Sequence, residues 1–161
     1  MKKLMSCLAL AALAVFTSAA FAQDPAPAQQ AGPAQQEAQA DEPTLTSVEV
    51  KFDTTRDNKN PNSKLDVYIK TSHGNEIAKS EGNTGVWNNN STHTVTLEVE
   101  GVRPKHQIRD GSVLLTFHPH GADKWEFNYK DTLKISDNSV INKEFNDCQL
   151  TQHNPRRTDS L

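Results

Sequence analysis

The sequence predicts an all-β domain, an antiparallel β-sandwich of about seven to eight strands, and three observations predict it. Apolar residues recur at every second position along most of the chain from residue 43 onward. Side chains of a strand point to opposite faces in turn, so such runs offer one face to a core and one to water. Turn-forming clusters of Gly, Asn, Asp, Ser and Pro separate the runs, and no apolar stripe of helical period competes with them. Short strands with turn-rich spacers are the pattern of a sandwich.

The first strand carries Val48, Val50 and Phe52, alternating with Glu49 and Lys51. Leu65, Val67 and Ile69 define the second, and positions 76–80 ("EIAKS") the third. Val95, Leu97 and Val99 then alternate with polar residues, and Val113, Leu115 and Phe117 share a parity. Trp125, Phe127 and Tyr129 follow in phase, with Leu133 and Ile135 further on. A last strand is expected within "VINKEFNDCQL", positions 140–150. Strands that alternate in direction collect every second loop at one end. "DTTRDNKNPNS", "EGNTGVWNNNST" and "HPHGAD" are therefore expected together, opposite the tight turns "SHGN" and "SDNS" and the longer "EGVRPKHQIRDG".

Ahead of the domain stand two other segments. Lys2 and Lys3, the apolar run from Leu8 to Phe16, and the small residues ending at Ala22 form the three-part pattern of a secretory signal, read here as residues 1–22. Its apolar run is shorter than the ~20 residues a membrane span needs, and nothing downstream is longer. The expectation is a protein secreted or delivered to the periplasm, cleaved near Ala22, without a transmembrane segment. Apart from Gly32, residues 23–42 are Ala, Pro and Gln with four acids and no aromatic or β-branched residue, the composition of a disordered linker. Residues 43–161 form the domain, and their size suits a single one.

Charge excludes one class of partner. The formal net charge of −3 becomes −1 for residues 43–161, once two lysines before them and four acids in the linker are set aside. Without clustered Lys and Arg there is no nucleic-acid footprint. Of the 2 cysteines Cys7 lies in the signal, so Cys148 has no intramolecular partner. It reads as a small buried hydrophobe, or alternatively as the link of a disulfide-bonded dimer. Enzyme signatures such as G-x-S-x-G, H-E-x-x-H or a phosphate-cradling glycine loop do not occur, so the chain reads as non-catalytic.

The loop end carries the unusual chemistry. Asp53, Asp57, Asn58, Asn60 and Asn62 in the first loop and Asp123 in the third are oxygen donors of the kind a hard cation takes, so a calcium site is one reading, with Asp53, Asp57 and Asp123 as carboxylates. Solvated turns are the other, because Asp and Asn cap their own backbone. His118 and His120, spaced i, i+2 in extended chain, resemble half of an alternative transition-metal site, against the plain reading of surface histidines. Trp87 either folds under the sheet as a plug or stands beside Val86 as a contact, with Asn58 and Asn60 as neighbouring binding groups. Trp125, in phase with Phe127, is core.

The progression "SVEVKFDTTRDNKNPNSKLDVYIKT", a Gly-Asn turn, and "GSVLLTFHPHGADKWEFNYKDTLKIS" resembles the PLAT/LH2 domain, a C2-like eight-stranded sandwich. Val67 to Ile69 stands for the hydrophobic run of that family's second strand, and Trp125 to Phe127 for its late Trp-x-hydrophobic step. The resemblance implies binding to a lipid surface or a protein, sometimes with calcium, through Asp53, Asp57 and Asp123, and no active site. Two functions stand as expectations. One is an exported module that binds a lipid surface, glycan or protein through its loops, with calcium as a possible aid. The other is a periplasmic structural or inhibitory protein that pairs through a strand edge or Cys148, with a small hydrolase as the remaining reading.

Overall fold

The computed structural model describes residues 42–161. The signal segment 1–22 and all of the linker except Glu42 lie outside the described residues. Eight strands follow one another: β1 (Leu45–Arg56), β2 (Lys64–Lys70), β3 (Glu76–Asn83), β4 (Thr92–Val99), β5 (Ser112–His118), β6 (Lys124–Ile135), β7 (Val140–Thr151) and β8 (Arg156–Ser160). One four-residue helix, α1 (Lys105–Ile108), sits in the connection from β4 to β5. Among the described residues no helix is long and apolar enough to cross a membrane.

All pairings are antiparallel, and the strands form one sheet in the order β7-β6-β1-β4-β3-β2-β5-β8. The all-β antiparallel class expected from alternation is therefore the fold, with a refinement. Two separate layers were expected, but β4 belongs to both halves. Its residues from Thr92 to Leu97 pair with β1, whereas Glu98 and Val99 pair with Lys79 and Ala78 of β3. The sheet curls over at that strand and comes closer to a barrel than to a sandwich, with β7 and β8 as its two ends.

Alternation places the core as the phase rule demands. Val48, Val50 and Phe52 of β1, Leu65, Val67 and Ile69 of β2, and Val113, Leu115 and Phe117 of β5 are all buried. Two departures are instructive. What reads as two short runs, 125–129 and 133–135, is one strand of 12 residues, because Asp131 occupies an inward position between Tyr129 and Leu133. And β8, "RRTDS", offers no apolar residue for the phase rule to detect, yet lies alongside β5 from Ser112 to Thr116.

Aromatic side chains fill the end of the core that lies under the loops. Phe52 packs within 5.7 Å of Trp87, Trp125, Phe127 and Tyr129, ring centre to ring centre. Burying the Trp125 indole requires a partner for its N–H, and Thr54 Oγ1 accepts it at 3.1 Å. At the other end the chain closes on itself through Gly111. Its amide donates to Ile108 O at 2.9 Å, its carbonyl accepts from Leu161 N at 3.0 Å, and a Cβ on it would lie 2.4 Å from Lys70 O. A backbone oxygen cannot move aside as a flexible side chain can. Gly111→Ala should therefore destabilise the domain by about 1–3 kcal/mol, read as a lower thermal midpoint, whereas Gly74→Ala, which meets no atom, should cost only its backbone strain at φ +80°.

Candidate functional site

The three loops expected to gather do gather, and they are joined to one another by hydrogen bonds. Residues 57–63 link β1 to β2, 84–91 link β3 to β4, and 119–123 link β5 to β6. Lys59 and Trp87 exchange backbone hydrogen bonds of 3.1 and 3.2 Å across the first two loops, like a two-residue sheet. Gly85 N donates to Pro61 O at 3.3 Å nearby. The third loop is tied in by Asp123, whose Oδ2 accepts from Asn60 N at 3.1 Å and from Ser63 Oγ at 2.5 Å. Ser63, fully buried, accepts in turn from His120 N at 2.9 Å.

Under this lid lies a side chain that the sequence does not advertise. Lys59 is completely buried, with Nζ donating to Gly85 O at 2.9 Å and standing 5.0 Å from the centre of the Trp87 ring. An ammonium out of water needs such partners: a carbonyl accepts a hydrogen bond from one N–H and the indole face offers its negative quadrupole. Burial lowers the Lys59 pKa to about 8, with the nearby charge of Asp123 acting in the opposite direction. His93 also stacks on the indole, at 4.8 Å and 10°. Burial and then the Lys59 charge push His93 below its ordinary value, and Ser91 Oγ lies 3.1 Å from its Nε2.

Trp87 is therefore the plug of the two readings open to it, 5% exposed and in contact with Phe52 and Trp125. It supports the loops from beneath and does not reach a partner itself. Asn58 is exposed, and Asn60 is half-buried, its Oδ1 accepting from Asn62 N at 3.0 Å. That bond is the local backbone capping for which Asx side chains are suited. Asp57 and Asn90 adopt positive φ (49° and 59°), a conformation that Asp and Asn tolerate better than other side chains. Much of the loops' amide and acid content is thus turn chemistry.

The carboxylates singled out for calcium are not brought together. Asp53 accepts from Thr92 Oγ1 at 2.5 Å and lies 3.5 Å from Lys51 Nζ on the outer surface of the sheet. Asp57 pairs with Lys124 at 2.8 Å, and Lys124 also meets Glu126 at 2.7 Å. Asp123 points inward to Asn60 and Ser63. His118 engages Asp66 at 2.6 Å, while His120 is exposed and bonded through its backbone. Among the described residues no three His, Cys, Asp or Glu side chains cluster as metal ligands. The donor set does not fit the calcium that the resemblance implies. Cys148 is 1% exposed, and burial pushes its thiol up to about 11.

No protein-family model matches this chain, and none of the curated proteins matches it either. Lys59 and Ser63 escape a linear reading because their partners lie 26 and 60 residues away.

The Lys59 arrangement has a measurable signature. Replacing a buried charge by an apolar chain of similar length is often neutral or stabilising, while truncation leaves a cavity. Lys59→Met should unfold near the wild-type midpoint at pH 7, and Lys59→Ala should lose about 2–4 kcal/mol. Because the folded pKa lies below the ordinary 10.5, the folded state releases its proton first. Stability from this group rises between pH 8 and 10.5, and urea titrations should show that rise in wild type and not in Lys59→Met.

Proposed function

We propose that the protein is a non-catalytic recognition module that binds another protein through its loop end. The observation that carries this reading is the composition of the exposed rim above the Lys59–Trp87 lock. Asn58, Asn62, Asn88, Asn89 and Asn90 are exposed there, and Val86 stands 43% exposed among them. Their amides donate and accept equally and carry no charge. Two nearby ion pairs flank the rim, Asp57 with Lys124 and Arg56 with Glu126, and Lys64 stands exposed at the start of β2.

A neutral, hydrogen-bonding rim around one apolar side chain suits a polypeptide surface, where desolvated charges are costly and amides meet backbone groups. It suits an anionic lipid surface poorly, since that attraction needs a cluster of unpaired Lys and Arg and Lys64 stands alone. Glycan recognition usually adds an aromatic platform, and both tryptophans here are buried in the core. The rigid scaffold also favours binding, because loops held in place lose little entropy when a partner docks. The PLAT/LH2-like resemblance points the same way in its protein-binding form. Export of the chain, which rests on the signal pattern alone, would place the partner outside the cytoplasm.

The test is capture from an extract of the envelope and medium with three forms of the full chain. Wild type and a Val102→Glu variant, altered at the far end of the sheet, should retain the same protein. Asn62→Lys combined with Asn89→Lys should lose it. Retention of that protein by the rim variant would refute the reading, as would binding of the wild type to a glycan array in place of any protein. A calcium-assisted mode has no support in the placement of Asp53, Asp57 and Asp123. Thermal unfolding in calcium and in chelator should give the same midpoint, whereas a native-state site at a hundredfold excess over Kd would add ~2.7 kcal/mol.

A further inference from the structure

The inward position that divides the apolar phase of β6 belongs to Asp131, which is 0% exposed, and neither carboxylate oxygen has a hydrogen-bond partner among the described residues. An ionised carboxylate in that state is far more costly than a neutral one. Its surroundings explain why it is not rescued. Across the curl of the sheet, β8 turns Arg157 and Asp159 inward. Asp159 is already engaged three times, by Tyr129 OH at 2.6 Å, by Arg157 Nε at 2.5 Å and by Arg157 Nη2 at 3.0 Å. The Arg157 fork is thus spent on its own strand. The remaining charge that Asp131 feels is the repulsive one of Asp159.

The other elements packed there offer no counter-charge. Val50 stands beside Asp131 on β1, and Val113 stands beside Asp159 on β5. On β7, Lys143 is the register partner of Asp131 on the same face, but its side chain is exposed and forms no ion pair among the described residues. Cys148, further along β7, lies buried within reach of the charges of Arg157 and Asp159. Burial, then the charge of Asp159, raises Asp131 from 3.8 to about 7. Asp131 lines none of the surface cavities beside Ile141, Cys148, Asn128, His73 or Val102, and what its unpartnered oxygens can take up is a proton.

We propose that the seam where β8 meets β6 is a proton latch: neutral Asp131 lets β8 lie closed over β6, and its ionisation releases β8 and uncovers the Cys148 thiol. The strand that would move is suited to moving. It is five residues long, ends the sheet, and is held in the ladder by β5 alone. Once its proton has left to solvent, Asp131 has a new partner at hand in Lys143, which an opened seam allows it to reach. The sign follows from the raised value. The folded state holds the proton more tightly than the unfolded chain, so stability falls as pH rises from about 4 to 7.

The experiment follows maleimide labelling of Cys148 in the full chain between pH 5 and 8.5, each rate divided by that of the denatured chain at the same pH. Wild type should lose protection by up to about tenfold per pH unit as pH rises toward 7 and should level off above it, because the closed and open states then hold the Asp131 proton equally little. Asp131→Asn, which cannot ionise, should keep a flat profile. A flat profile in wild type, or the same rise in Asp131→Asn, would overturn the latch. Carbon-detected NMR of the wild-type carboxyl decides independently of any variant. A midpoint near pH 7 agrees with the proposal, and one below pH 5 defeats it.

Discussion

A charged side chain that is denied water, the Lys59 ammonium, sets the form of the loop end. It must find a carbonyl, and the one it finds, Gly85 O, belongs to the loop between β3 and β4. To bring that oxygen within reach, the two loops pair through the backbone of Lys59 and Trp87, and the indole is drawn over the ammonium. Trp87 then rests on Phe52 and Trp125, so the lid and the aromatic core are one packing unit. Asp123 completes the arrangement by fixing Asn60 and Ser63 to the third loop. An exposed rim of otherwise adaptable amides is thereby held on a rigid base, which is what a recognition surface requires.

The curled sheet makes this possible. Because β4 pairs with β1 along most of its length and with β3 only at its last two residues, the two halves face each other, and their loops meet above one aromatic core. At the opposite end the chain is closed by Gly111 and Leu161. The remaining irregularity is the edge where β7 and β8 end the sheet. There the inward positions hold Tyr129, Asp131, Arg157 and Asp159 in place of aliphatic residues. Apolar pressure keeps the rest of the domain shut, while polar contacts hold this edge, and those contacts respond to pH.

Much of the fold is legible in the sequence because alternation is a direct print of burial. Val48 to Phe52, Leu65 to Ile69 and Val113 to Phe117 show it without interruption, and all are core. It fails where an inward position is polar. Asp131 makes one strand look like two, and Arg157 with Asp159 hides β8 entirely. The gathering of the three loops also follows from strand direction, whereas the partners inside the gathering do not. Asp53, Asp57 and Asp123 share a loop end, yet they point to Thr92, Lys124 and Ser63 respectively, and nothing in a linear chain records those directions. Lys59 among asparagines looks like any solvated lysine until Trp87 is placed beside it.

Amide hydrogen exchange at Lys59 and Trp87 tests the central claim most directly, since each donates its N–H to the other's carbonyl across the two loops. If the buried ammonium locks the lid, both amides exchange only through the large openings that release core amides such as that of Val50. Exchange at the rate of the exposed neighbours Asn58 and Asn89 would mean that the loops open freely, and the rim would then be no preformed surface.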